Sequence, residues 1–273
     1  PGDHHTAQRH LRPAVPAVDG PLRRERWGMA GLVSVAARMW LAASLADVGE
    51  FDEAIACARD GLAIAQDADH PWSTAGSHMT LGVVLLTRGH LDEAAPVLER
   101  GIAFAREMDL TAWLPMLLCA RGIVQCRQAP GGGGLAMIEE GVQRGTALRI
   151  LSRQAQRLTW MAEAYRLAGR TDEAVAAATD AHRLASEQGE RGSAAGALRM
   201  LAAATADAKS YEAALDAARA LGLRPVEALC HLGLAILAEG AHGAAPAREH
   251  AARALEMLRA MGMRDWLPRA GSL

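Results

Sequence analysis

The sequence predicts an all-α protein, a right-handed α–α superhelix of about six helix pairs with a period of about forty residues. Three observations predict it. The segments GEFDEAIACARDGLAIAQDAD (Gly49–Asp69) and GHLDEAAPVLERGIAFAREMD (Gly89–Asp109) are near copies, matching at Gly49/Gly89, the Asp-Glu-Ala triplets, Gly61/Gly101 and Asp69/Asp109. The small position returns at Gly141 and Ala181, and Gly169 precedes a third triplet, Asp172-Glu173-Ala174. The composition, 51 % apolar but only 4 % aromatic, suits a core of Ala, Leu, Met and Val between closely packed helices.

In chain order, the periodicity places helix pairs at 32–67, 72–107, 112–148, 151–187, 191–221 and 224–260, with a short closing helix from about 263. The second pair carries the clearest signal. Met79, Val83 and Leu86 fall on one stripe, and Gly89 ends the helix where a left-handed residue is easiest. Asp92 and Glu93 then enter the first turn of the next helix, where negative charge suits the positive end of the dipole. Ala94, Leu98, Gly101 and Ile102 form its inner face. A small residue at 61, 101, 141 and 181 lets neighbouring backbones approach, at a cost of up to about 1 kcal/mol of helix propensity per glycine. The third pair is irregular at APGGGG (129–134), and the fifth lacks a clear glycine turn. Residues 1–25 read as a poorly ordered end or a partial preceding repeat. Capping of the array favours a repeat, whereas Pro13, Pro16 and Pro21 argue against a clean helix. Residues 26–273 form the repeat domain.

Several function classes find no support. Lys+Arg of 29 against Asp+Glu of 31 leaves no basic footprint for nucleic acid, and RRER (23–26) is one turn of solvated charge. No apolar run is long enough to cross a membrane, and PGDHHTAQRHLRP lacks a signal peptide's apolar stretch. Cys57, Cys119, Cys126 and Cys230 lack paired spacing and read as reduced, buried thiols of a cytoplasmic protein. A single lysine, Lys209, among many arginines points to a GC-rich bacterial genome. PGGGGLAM has Leu135-Ala136 where a phosphate loop needs Lys-Ser/Thr. His4, His5 and His10, and His231, His242 and His250, lack metal-ligand spacing, so neither metal nor cofactor is expected. The recurrent acid pairs at helix starts cap dipoles, and no catalytic constellation stands out, so the chain reads as a non-enzyme.

LGVVLLTRGHLDEAAPVLERGI resembles a tetratricopeptide repeat, with Leu81, Gly82, Leu85, Gly89, Leu91, Ala94, Leu98 and Gly101 in its slots. Leu41, Ala42, Leu45, Gly49, Phe51, Ala54 and Ala58 fill the preceding unit, and Tyr165, Gly169, Ala174, Ala178 and Ala181 the fourth. RERWGMAGLVSVAARMWLAASLADVGEFDEA, LGLRPVEALCHLGLA and AREHAARALEMLRAMGMRDWL resemble the C-terminal repeat region of bacterial regulators with a class III adenylate/guanylate cyclase domain and an AAA-like ATPase. LuxR-type regulators carry comparable tails. No cyclase or ATPase segment is present, so neither activity carries over. The resemblance implies a protein–protein interaction scaffold in bacterial signalling, its partner a protein, a peptide or another domain of its own parent. The alternative is a ligand-sensing segment controlling an attached cyclase, ATPase or DNA-binding domain.

The concave face of such an array comes from the first helix of each pair. The sequence therefore offers a partner groove of Met79, Val83 and Leu86, then Met116, Cys119, Ile123 and Cys126, then Gln156, Thr159, Glu163 and Arg166. An apolar centre with a polar flank suits an amphipathic peptide or helix.

Overall fold

The computed structural model describes residues 2–240 and 244–271, and all regular structure among them is helical. A first helix, α1 (His4–Ala17), precedes six antiparallel pairs. These are α2 (Val33–Asp47) with α3 (Phe51–Asp67), α4 (Pro71–Arg88) with α5 (Leu91–Glu107), and α6 (Leu114–Gln128) with α7 (Gly134–Ala147). They continue with α8 (Gln154–Leu167) and α9 (Thr171–Glu187), α10 (Arg191–Thr205) and α11 (Ala208–Leu221), and α12 (Arg224–Gly240) and α13 (Ala244–Met261). A short α14 (Leu267–Gly271) closes the chain. The pairs fall where the forty-residue period puts them.

The turns explain the period. Gly49, Gly89 and Gly169 follow α2, α4 and α8 with φ of +85°, +85° and +74°, a conformation that costs an L side chain strain but glycine little. The fifth pair makes the same turn with Ala206 at φ +54°, so its missing glycine is replaced by a strained residue rather than a different turn. Between pairs, Asp69, Asp109 and Arg149 take the left-handed conformation. Asp207 caps α11 by accepting hydrogen bonds from the Lys209 and Ser210 backbone N–H groups.

The glycines of the third pair set the distance between its helices. Side chains at Gly122 and Gly134 would strike each other's carbonyl oxygens, at 2.6 and 2.5 Å, and one at Gly141 would lie 2.7 Å from the Pro115 carbonyl. α6 and α7 thus pack backbone to backbone, and the last glycine of APGGGG is a packing residue.

Pro13 and Pro16 lie inside α1, contrary to the sequence expectation of a broken helix. The proline rings leave the Arg9 and Arg12 carbonyls without helical donors, but both residues are exposed, so water can supply the missing bonds. α1 packs along α2, where buried Gln8 donates to the Ser44 carbonyl at 3.2 Å, and Arg12 pairs with Glu50 and Glu53 at the start of α3.

The array closes on itself. One hydrophobic cluster runs from Leu41 and Leu45 through Leu85, Leu98 and Leu117 to Leu258, Met261 and Trp266. Gly49 lies against Met261 so closely that a side chain there would collide, and Gly89 faces Asp265 and Trp266 in the same way. At the other opening, Gly2 touches Arg191 at the start of α10. Closure leaves a channel inside the coil.

Candidate functional site: the inner channel and its side pocket

The first helix of every pair contributes to the channel wall, together with the start of α1 and the turn after α13, around a cavity of about 450 Å³. α8 supplies Gln156, Thr159, Trp160 and Glu163. α10 adds Ser193, Gly196 and Arg199, and beside it the start of α12 and the turn after α13 bring the apolar Leu223, Val226, Leu229 and Met263. The α8 and α10 part of the wall is largely polar and charged, the α12 part apolar.

A buried ion pair anchors the polar wall. Arg127 donates from Nε and one Nη to the two Glu163 oxygens, both at 2.9 Å, with the side chains 9 % and 6 % exposed. The Arg127 guanidinium also lies 4.9 Å from the Trp266 ring centroid, tying α6 and α8 to the closing turn. Burial pushes the Glu163 carboxyl upward, but Arg127, aided by Arg199 and Arg166, more than offsets this and holds it at about 2. Arg199 has no carboxylate within ion-pair distance among the described residues, nor has Arg166, whose buried Nε lacks a hydrogen-bond partner. Asp47 also lines the channel, with its side chain about half exposed. Partial desolvation raises its pKa against the pull of His4 and Arg153.

A second cavity, of about 320 Å³, opens beside the channel and shares Trp40, Ser152 and Arg153 with it. Trp72 and Trp113, with ring centroids 5.1 Å apart, form one side; Met39, Met79 and Met116 form much of the rest.

The eleven groove residues expected from the sequence separate into three groups. Leu86, Gln156, Thr159 and Glu163 line the channel, and Met79 and Met116 line the side pocket. The other five line neither. Cys119 and Ile123 are fully buried, Cys126 and Val83 nearly so, all four in the main cluster, and Arg166 is half-buried. The stripe through Val83, Cys119, Ile123 and Cys126 is therefore core, because α5 and α7 cover it. Cys119 illustrates this: it sits under Gly141, and burial drives its thiol up to about 12.

Sequence reasoning missed Trp40, Trp72, Trp113, Arg153, Arg157 and Arg199. Trp72 and Trp113 stand at matching places in two repeats, which was a usable signal. The arginines were not legible, since nothing local distinguishes an arginine facing a cavity from one facing solvent.

The histidines also needed the tertiary fold. His231 and His250 approach Nδ1 to Nδ1 at 2.7 Å, while Arg219 donates to His231 Nε2 at 3.2 Å. Arginine is only a donor, so His231 accepts at Nε2 and must donate through Nδ1–H to His250. Burial, with His250 and Arg219, lowers the His231 pKa to about 4. His242 lies outside the described residues. Among the described residues no cluster of three metal-ligating side chains occurs, and no helix is long and apolar enough to cross a membrane.

These features define a TPR-like helical-repeat solenoid wound around an inner channel. No family's sequence profile matches the chain, and no curated protein sequence does. Solved structures do. The apo form of RapI is similar at 9 % identity and a TM-score of 0.66, over 93 % of this chain and 90 % of that one. The Rap conjugation gene regulator of plasmid pLS20, in complex with the Phr* peptide, gives 12 % identity and a TM-score of 0.73 over 95 % of this chain and 72 % of its own. A Rap protein complexed with competence and sporulation factor gives 11 % and 0.72 over 96 % and 74 %. At such identities the likeness establishes the fold.

Proposed function

We propose that this chain is a non-catalytic, peptide- or protein-binding regulatory module that holds a partner segment in its inner channel. The observation that carries this reading is the channel itself, ringed by the first helices and lined by charged and polar side chains beside apolar ones. Such a surface recognises an amphipathic segment through both faces at once. The structural likeness to Rap proteins, two of them seen with a bound factor or peptide, supports the reading and a place in bacterial regulation.

Gly196 offers a direct test. A side chain added there meets nothing within 4 Å and points into space that lines the channel. Gly196→Leu would fill the channel and also gain up to about 1 kcal/mol of helix propensity, so the fold is kept. Peptides selected from a displayed random library on the wild type are expected to lose at least about tenfold in affinity for Gly196→Leu, a change of about 1.4 kcal/mol. Circular dichroism and Tm should stay unchanged or rise. Equal binding to both proteins, or no selectable peptide, refutes the channel as the working site.

A further inference from the structure

The side pocket carries a charge imbalance: its lining holds two arginines and no acid. Arg157, 2 % exposed, lines it and donates to the Ser152 and Ile150 carbonyls at 2.7 and 2.6 Å. Two neutral carbonyls satisfy donors but bring no countercharge. The other buried guanidiniums are paired with acids: Arg38 with Asp19 and Asp60, and Arg127 with Glu163. Burial accordingly lowers the Arg157 pKa, whereas those of Arg38 and Arg127 are raised: burial pulls them down as well, but their acid partners outweigh it.

Arg153 adds a second positive charge to the same lining. It donates to the neutral Gln156 side chain at 3.0 Å and is attracted by Asp47, which lies outside this lining; its backbone is left-handed at φ +55°. The lining contains no Asp or Glu at all. The Trp113 indole N–H, on the same wall, has no acceptor within the described protein. Around these donors the surface is Trp and Met, soft and polarisable, and the volume lies at the lower end of ordinary small-ligand sites.

We infer that this pocket is a binding site for an organic carboxylate: an aromatic or branched aliphatic body lies between Trp72, Trp113 and the methionines, and the carboxylate meets Arg153 and Arg157. A carboxylate supplies the countercharge that Arg157 lacks and that no residue of the lining offers Arg153, in the planar fork that arginine matches. The same chemistry reaches the pocket as a free small acid or as the carboxylate-bearing end of a peptide. The site stands on its own lining and does not depend on peptide binding in the channel. Arg153 lines both cavities.

The test is isothermal titration calorimetry of the full chain with 3-phenylpropionate, indole-3-propionate and octanoate, each against its uncharged amide. In parallel, a peptide ending in Phe with a free carboxylate is compared with its C-terminally amidated form. At least one acid is expected to bind at least about tenfold tighter than its amide, as a charge-assisted bidentate bond requires. Arg153→Gln, which loses the hydrogen bond to Gln156 and the attraction to the half-exposed Asp47, should keep the circular dichroism spectrum and lose that preference. Preference for the free acids alone assigns a small metabolite; preference in the peptide pair assigns a peptide terminus. Equal binding of acids and amides, no binding of any acid, or full preference surviving in Arg153→Gln overturns the site.

Discussion

The two halves of the solenoid are built from different materials. In α4 every residue from Ser73 to Leu86 is buried, and its neighbours contribute Leu45, Leu98, Leu117, Leu118 and Ile123 to one large cluster. Across α8–α11 the buried residues are mostly alanines, among them Ala162, Ala177, Ala178, Ala195, Ala202 and Ala218, which fall in small separate clusters. Of the large side chains that are fully buried, Met200 alone comes from that stretch. Since each buried CH₂ contributes about 0.8 kcal/mol, the Ala-rich repeats gain less per residue for similar backbone order. They also carry the polar channel wall, where Arg199 has no acid within ion-pair distance among the described residues. A firm half thus supports the side pocket, and a softer half faces the channel's charged side, which is where adjustment to a partner is cheapest.

The largest expected effect breaks the firm half. Leu98→Ala, at a fully buried position against Gly82, should cost about 2–5 kcal/mol by urea unfolding. Leu215→Ala, in one of the small clusters, should cost visibly less, and hydrogen exchange of α8–α11 should outpace that of α4–α6 in the wild type. Equal costs and equal exchange would dissolve the distinction between halves.

The next effect tests the far end. His231 titrates at about 4 in the folded chain against 6.5 unfolded, so the unfolded state binds more protons between those values. Stability is fully present above pH 6.5 and falls as the pH drops toward 4, by about 3 kcal/mol at most. The groups facing this ring are His250, Arg219, Glu227 and Arg253, of which only Glu227 opposes the fall. Glu163, held at about 2, adds a separate loss as pH falls from about 4.5 toward 2. His231→Gln should flatten the upper limb of stability against pH and leave the lower one; an unchanged upper limb sinks the assignment.

The smallest effect sharpens the view of the soft half. Ala206 is exposed and left-handed, so Ala206→Gly should stabilise the chain by about 0.5–1 kcal/mol, read as a small rise in Tm. A fall in Tm would mean that the turn is not strained.

The helix pairs were legible because their signals are local. Gly89, the Asp92-Glu93 pair and the spacing of Ala94, Leu98 and Gly101 each report on a turn, a dipole or a face a few residues away. Even the irregular fifth pair announced itself by lacking a glycine. The groove was only partly legible. Helix phase picked Met79, Met116, Gln156, Thr159 and Glu163, which line the cavities, but Val83 and Ile123 share that phase and are buried in the core.

By itself, then, the sequence determined the helices, their pairing and their period, since these follow from propensity, capping and the 3.6-residue repeat. It also determined which face of each helix is apolar. Tertiary structure alone decided that the array closes, bringing Met261 to Gly49 and Trp266 to Arg127. It alone left Arg157 buried without an acid and set His231 against His250. The physical reason is distance along the chain. A turn is settled by neighbours, whereas a cavity and its charge balance depend on side chains that meet only once every repeat has stacked.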